Sequence, residues 1–276
     1  MVIYKLEGVR YMQLKEFEQE KKLEYANLKD DEHVLQMWTP FSIQIDENYK
    51  FVSHNIFFKI ISSLLYIVVY AILVVFDKVM FGFHVKGLSN LWAVDGGKIT
   101  VSNHIHPMDC TMNAIINGPN KLYFPTLQSN FEIPLIRWLI KLLNAIPIPE
   151  KMEAKKAFYH AIDGLLQDRK TVHFYPEAAM RPYCNKIRNF KRGAFHFSVQ
   201  NNVPIVPIVY TYSEVTGIRK VFKEKPFINA NILPAMYPDC NLPEAEAVEK
   251  LRSQVQETMT IELERQQDIT EKAKKQ

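Results

Sequence analysis

The sequence of 276 residues predicts an α/β domain with a mostly parallel sheet flanked by helices, led by an N-terminal hydrophobic helix that contacts a membrane. Three observations predict it. From Ile99 onward, short apolar runs alternate with longer helical ones, the order expected of strand–helix–strand units. Ile56–Phe76 is strongly apolar, with one charge, Lys59, near its start. Polar residues capable of chemistry fall just past strand ends, where open α/β sheets gather their working groups.

Residues 1–55 form a polar lead, with a helix expected over Tyr11–Leu28 and an irregular stretch around Trp38-Thr39-Pro40. Residues 56–80 follow as the hydrophobic helix. A helix over Ile56–Phe76 would be about 31 Å long, close to the thickness of a bilayer core. It lacks a polar face after Ser63, which argues against an ordinary soluble surface helix. A transmembrane span, a helix half-sunk in one leaflet and a buried core helix all fit. A wedge in the cytoplasmic leaflet of the cell membrane would deliver a lipid without crossing anything.

Residues 81–240 carry the main domain. Its expected strands are Ile99–Ser102, Leu122–Thr126, Thr171–Tyr175, Ile205–Tyr210 and Phe227–Leu233. The expected helices are Met108–Ile116, Pro134–Leu143, Ala154–Asp168 and Arg192–Asn201. Pro134–Leu143 is apolar on most faces and reads as a core helix, with a membrane-facing or chain-lining wall as the alternative. Residues 241–276 hold a helix over Glu244–Arg265, with Val248, Leu251, Val255 and Met259 on one face, and a charged tail expected to fray after Glu264.

Composition narrows the function. With 47% hydrophobic residues the chain can bury one large core, and a net charge of +4 is mild. No basic stripe is interleaved with stacking aromatics, so no nucleic-acid partner is expected. Cys110, Cys184 and Cys240 have the spacing of neither a disulfide framework nor a zinc site, and no metal or cofactor is expected.

The chemistry concentrates in Val101-Ser102-Asn103-His104-Ile105-His106-Pro107-Met108-Asp109. An imidazole at a strand end, with a carboxylate one turn into the next helix, can form an oriented general base. The aspartate accepts from one ring nitrogen, fixes the tautomer and raises the basicity of the other. That spacing alone is a weak signal, and a loop histidine bonded to nearby backbone satisfies it equally well. His106 is expected to face away and to be structural.

Further segments add weight. His173-Phe174-Tyr175-Pro176-Glu177-Ala178-Ala179-Met180-Arg181 places a carboxylate past a strand end. Phe190-Lys191-Arg192-Gly193-Ala194-Phe195 opens a helix, and Val203-Pro204-Ile205-Val206-Pro207-Ile208-Val209-Tyr210 reads as a buried strand. In this order the segments resemble the lysophosphatidate (1-acyl-glycerol-3-phosphate) acyltransferase family, from about residue 80 to about residue 235. Asn103, His104 and Asp109 match its N-H-x4-D block, Pro176 and Glu177 its F-P-E-G-T-R block, and Val203–Pro207 its V-P-I-x-P block. Phe81–Leu91 resembles the lead-in to the first block.

The resemblance implies a glycerolipid acyltransferase-like fold and an O-acyltransferase acting in phospholipid synthesis. It would move a fatty acyl group from acyl-CoA or acyl-carrier protein, as co-substrate, to the hydroxyl of a lysophospholipid, by default lysophosphatidate. His104 would be the base and Asp109 its orienting partner, with direct attack favoured because no serine or cysteine is placed as a covalent nucleophile. Glu177, Arg181, Lys151 and Asn103 would bind substrate. An ion pair of Glu177 with Lys191 or Arg192 is the plainer reading of that carboxylate.

Departures from the blocks matter as much. Leu127 or Gln128 stands where a lysine is common, and Glu150 where an arginine is common, with Lys151 one place later. Glu-Gly-Thr-Arg becomes Glu177-Ala178-Ala179-Met180, with Arg181 displaced by one. A phosphate wants convergent cationic donors. Either Lys151 and Arg181 recover that job, or the acceptor is another lysophospholipid or a glycolipid. A non-catalytic lipid-binding protein on the same fold and a thioester hydrolase are the other readings.

Overall fold

The computed structural model describes residues 21, 24, 25, 41–53, 55–215 and 226–274. Apart from Lys21, Glu24 and Tyr25, the helix expected over Tyr11–Leu28 lies outside the described residues, as does the stretch around Trp38-Thr39-Pro40. Along the chain run α1 (Ile56–Met80), β1 (His84–Lys86), α2 (Leu88–Trp92), β2 (Lys98–Ser102), α3 (Asp109–Asn117) and β3 (Leu122–Leu127). A 3-10 turn (Gln128–Glu132) leads into α4 (Pro134–Leu142), β4 (Ala145–Ile148), α5 (Met152–Gln167) and β5 (Thr171–Phe174). Then come α6 (Gly193–Asn201), β6 (Ile205–Ser213), β7 (Phe227–Ile232) and α7 (Glu244–Lys274).

The strands form one sheet in the order β1-β7-β6-β2-β5-β3-β4. Neighbours pair in parallel except β6 and β7, which are antiparallel, so the sheet is mostly parallel as the sequence predicts. The five expected strands and the helices between them are present. Two short edge strands, β1 and β4, and helix α2 carry too little periodicity to be read from sequence. β1 lies so close to β7 that a Cβ on Gly87 would sit 2.3 Å from the Ile232 carbonyl oxygen.

Alternation along the central strands divides the core. Ile99 and Val101 of β2, Val172 of β5, and Ile205 and Val209 of β6 pack with α5, α6 and α7. Val206, Ile208, Tyr210 and Tyr212 of β6 pack with Leu91 of α2 and with Met112 and Ile116 of α3. The second layer is closed from outside by α1, which packs on α3 and α4.

Helix α1 is built inside out. Asn55 caps it, accepting from the Phe57 and Phe58 amides at 2.9 and 3.2 Å. Its buried residues are polar: Ser62 donates to the Leu142 carbonyl at 2.6 Å, Tyr66 is enclosed, and Asp77 accepts from Thr111 at 2.9 Å. Outward it shows Ile60, Ile61, Leu64, Ile67, Val68, Ile72 and Val75. A surface with this composition is stable against hydrocarbon and not against water. Beside it Ile136, Trp138 and Leu139 of α4 are also exposed, so the core position expected for Pro134–Leu143 is corrected. α4 packs against α1 and leaves these side chains outward.

The tail is a second correction. Helix α7 continues past Glu264 to Lys274. Glu262 accepts from Arg265 at 2.7 Å and from Gln266 at 2.7 Å, and Gln267 donates to the Asn185 carbonyl at 2.7 Å. Side-chain pairs one turn apart and an anchor to the domain hold turns that composition alone would leave loose.

Candidate active site

The site stands beyond the carboxyl ends of β2 and β5. β2 ends at Ser102, and the chain then turns through His104 into the first turn of α3, which Asp109 opens. This local path brings the two side chains together: His104 Nδ1 lies 2.7 Å from Asp109 Oδ2. A carboxylate only accepts, so Nδ1 carries the hydrogen and Nε2 presents a lone pair. The His104 side chain is 21% exposed and that of Asp109 only 1%. The imidazole therefore reaches the surface while its partner stays out of water.

The histidine is held from every side. Its backbone N–H donates to Glu177 Oε2 at 3.3 Å, and its carbonyl accepts from the Arg181 amide at 3.0 Å. Its ring stacks on Tyr175, with centroids 3.9 Å apart and planes 14° from parallel.

Tyr175 also donates to the second carboxylate oxygen, Asp109 Oδ1, at 2.7 Å. Behind it lies a buried polar chain. Tyr210 donates to Asn113 Oδ1 at 2.8 Å, and Asn113 Nδ2 donates to the Tyr175 hydroxyl and to His173 Nε2, each at 3.0 Å. His173 Nδ1 faces the Thr100 hydroxyl at 2.9 Å. Burial pushes His173 down to about 3, so the ring stays neutral and accepts from Asn113. Burial, reinforced by the Asp109 charge, holds the Tyr175 and Tyr210 hydroxyls well above their ordinary value. Each stays a donor, and the chain of donors ends on Asp109. Sequence reading missed Tyr175, Asn113, His173 and Tyr210 as members of the site. The one signal was Asn113, four residues after Asp109 and so on the same helix face.

The other expected site residues divide. Asn103 is fully buried and spends both ends of its amide on Tyr210, donating to its carbonyl at 3.0 Å and accepting from its amide at 2.8 Å. It clamps β2 to β6 instead of facing a substrate. Glu177 pairs with Arg188, at 2.8 Å from Nη2, and not with Lys191 or Arg192. Its Oε1 accepts from the Arg188 amide at 3.0 Å. Both oxygens are engaged, so Glu177 organises the loop around His104.

Arg181 is buried, and its guanidinium lies over the Tyr25 ring at 5.9 Å. Lys151 is exposed at the start of α5, where it donates to Gln44 at 3.0 Å and lies 3.7 Å from Glu153. Its contacts tie it to none of the other expected residues. His106 is structural, as expected: its Nδ1 accepts from the Met108 amide at 3.1 Å and its ring packs on Phe81 and Tyr183.

Ala178 explains part of the altered third block. Its φ of +65° is left-handed, the conformation that glycine adopts without strain at the position the blocks give to glycine. The three cysteines are free, and burial pushes the Cys110 thiol up to about 12, which removes it as a nucleophile.

Residues 82–211 match the family model of the acyltransferases. The match covers just under half of the chain and marks this segment as similar to an acyltransferase domain. The chain is 27% identical over 127 residues to a chloroplastic 1-acyl-sn-glycerol-3-phosphate acyltransferase of Arabidopsis thaliana, which covers 45% of the chain and 35% of that relative. To the 1-acyl-sn-glycerol-3-phosphate acyltransferase of Saccharomyces cerevisiae it is 25% identical over 136 residues, 48% of the chain and 44% of the relative. The chain thus matches between a third and a half of the length of these curated relatives. Among solved structures, the 1-acyl-sn-glycerophosphate acyltransferase PlsC of Thermotoga maritima superposes with a TM-score of 0.51 at 18% identity, over 77% of this chain and 96% of PlsC. That likeness establishes the fold. Within the matched segment lie His104, Asp109, Tyr175 and Glu177, the imidazole–carboxylate pair and the residues that hold it.

Proposed function

We propose that this acyltransferase domain moves a fatty acyl group from acyl-CoA or acyl-carrier protein to the hydroxyl of a lysophospholipid, with lysophosphatidate as the default acceptor, in phospholipid synthesis. The observation that carries it is the Nδ1–Oδ2 distance of 2.7 Å between a surface-reaching imidazole and a buried carboxylate. An alcohol far from its pKa needs such a base to attack a thioester. His104 Nε2 takes the hydroxyl proton as the oxygen bonds to the thioester carbonyl carbon. Asp109 stabilises the imidazolium. The tetrahedral intermediate collapses, the carbon–sulfur bond breaks, and the imidazolium returns the proton to the leaving thiolate.

The bare face of α1 supports action at a lipid surface. We place that helix in one leaflet, on the cytoplasmic face of the cell membrane, because Ser62, Tyr66 and Asp77 are turned into the protein and its exposed charges, Lys59 and Lys78, lie towards its ends. Acceptor and acyl chain then arrive from the bilayer.

Arg181 favours a second reading of the acceptor. It is turned inward against Tyr25, and Glu150 is exposed where the family blocks carry an arginine. A head group other than a simple phosphate meets less opposition at such a site. Incubating the purified chain in detergent with labelled acyl donor and mixed lysophospholipids, followed by mass spectrometry, decides between acceptors. His104→Ala is expected to abolish transfer. Turnover retained in that variant overturns the base assignment, and fatty acid released without an acceptor supports a hydrolase instead.

A further inference from the structure

A small basic pocket lies at the amino end of α1, far from His104. Lys121 and Asn144 in its lining come just before β3 and β4, strands that run in the same direction as β2, whose carboxyl end carries the imidazole. Along α1, Lys59 stands eighteen residues before Asp77, about 27 Å at the helical rise, and Asp77 is the end that bonds α3 through Thr111. The pocket therefore takes no part in the chemistry above.

Its lining is cationic and uncompensated. Lys59, Lys121 and Lys141 border it, and no carboxylate does among the described residues. Lys121 is drawn inward, donating to Ser62 Oγ at 3.0 Å and to the Lys59 carbonyl at 3.3 Å. Burial, and then the charges of Lys170 and Lys59, hold its ammonium below the ordinary lysine value, as befits cations crowded without an anion.

Asn144 is the residue that points to a ligand. It is 7% exposed, and its enclosed amide nitrogen has no hydrogen-bond partner among the described residues. Its φ of +68° accounts for an asparagine at the end of α4 but not for the orphaned donor, because glycine would serve the backbone equally well. A buried N–H costs free energy until an acceptor reaches it.

Size and surroundings select that acceptor. The pocket has a volume of about 30 Å³, more than one water needs and far less than a nucleotide or an acyl chain fills. It suits one tetrahedral oxyanion. On the same turns of α1, Phe57, Ile60 and Ile61 are exposed as part of the bare apolar face. An anion joined to hydrocarbon satisfies both surfaces, and a free anion satisfies only one.

We propose that this pocket binds the headgroup of a membrane lipid that ends in a phosphate monoester, and so fixes the far end of α1 along the leaflet. The lysines meet the doubly charged phosphate, the Asn144 amide donates to one of its oxygens, and the acyl chains lie along Ile60 and Ile61. A phosphodiester would bring a second substituent for which the volume leaves no room. The inference rests on the placement of α1 in one leaflet and not on the chemistry at His104.

The test is co-flotation of the full chain with vesicles of phosphatidylcholine alone, with phosphatidate, or with phosphatidylglycerol at matched surface charge. The parent is expected to bind all three through α1, and phosphatidate to tighten binding by about tenfold more than phosphatidylglycerol does. Lys121→Gln with Lys141→Gln is expected to lose most of that gain while binding phosphatidylcholine as the parent does. The same is expected of Asn144→Gly, which keeps the left-handed backbone and removes only the amide. Lys156→Gln with Lys272→Gln, exposed on α5 and α7, is expected to keep the gain. Equal tightening by phosphatidylglycerol, or an unmoved phosphatidate gain in both pocket variants, overturns the site. Loss of the gain to inorganic phosphate, where chloride of equal ionic strength leaves it, assigns the pocket to a free anion and overturns the lipid. Failure of the parent to bind phosphatidylcholine alone counts against the placement of α1, with the phosphatidate gain still deciding the pocket. His104→Ala is expected to bind as the parent does, so failure of the acyl-transfer reading leaves this readout unchanged.

Discussion

Asp109→Asn is the substitution that isolates what the His104–Asp109 pair contributes. The amide is isosteric with the carboxylate and keeps an oxygen for the Tyr175 hydroxyl, so the buried chain from Tyr210 through Asn113 stays satisfied. What it removes is the negative charge beside the imidazole. Two unit charges about 4 Å apart attract by about 4 kcal/mol at the effective dielectric of 20 suited to such a half-buried site. The residual dipole of the amide returns part of this, leaving a barrier higher by about 3–4 kcal/mol, or a loss of about 10²–10³ in kcat. With the oxygen kept for Tyr175, the amide nitrogen faces Nδ1, which also forces the hydrogen onto Nε2 and removes the lone pair that takes the proton. Because Asp109 is enclosed, acceptor KM is expected to stay within a factor of about three of the parent. The assay is release of free thiol from acyl-CoA with saturating lysophospholipid, alongside thermal unfolding to show an intact fold. A folded Asp109→Asn variant that keeps a third or more of the parental kcat refutes the argument.

Further outcomes follow from other contacts. Tyr175→Phe keeps the ring under His104 and loses only one donor to Asp109, so transfer assays are expected to show a loss of about tenfold or less, against a far larger loss for Tyr175→Ala. Glu177→Gln leaves Arg188 buried without its counter-charge and is expected to cost about 3–5 kcal/mol in urea unfolding, whereas replacing both by Met is expected to recover much of it. Ala178→Gly relieves the left-handed position and is expected to raise stability by about 0.5–1 kcal/mol, read as a shift in denaturation midpoint. His173, lowered to about 3 from an ordinary 6.5, binds its proton in the unfolded chain first, so its contribution is complete above pH 6.5 and falls with acidification between those values. Asp77, which burial pushes up to about 6, has the opposite slope. The readout is therefore the difference between parent and His173→Gln, expected to approach about 1.4 kcal/mol per pH unit below pH 6, with the parent losing more.

Legibility followed the range of the interactions. β2, β5 and β6 are fully buried between two layers, so their apolar runs announce themselves in sequence, as do the long periodic faces of α5 and α7. The His104–Asp109 contact was legible because five residues and one helix start determine it. The Tyr175 contact to Asp109 spans 66 residues and depends on β2 and β5 lying side by side, which spacing does not encode. Asn103 and Glu177 were visible as positions and not as roles. Their side-chain atoms are spent on Tyr210 and Arg188, partners that only the fold brings near. Helix α1 was visible as apolar, yet its depth depended on which residues turn inward. Ser62, Tyr66 and Asp77 do so, leaving hydrocarbon on the outside.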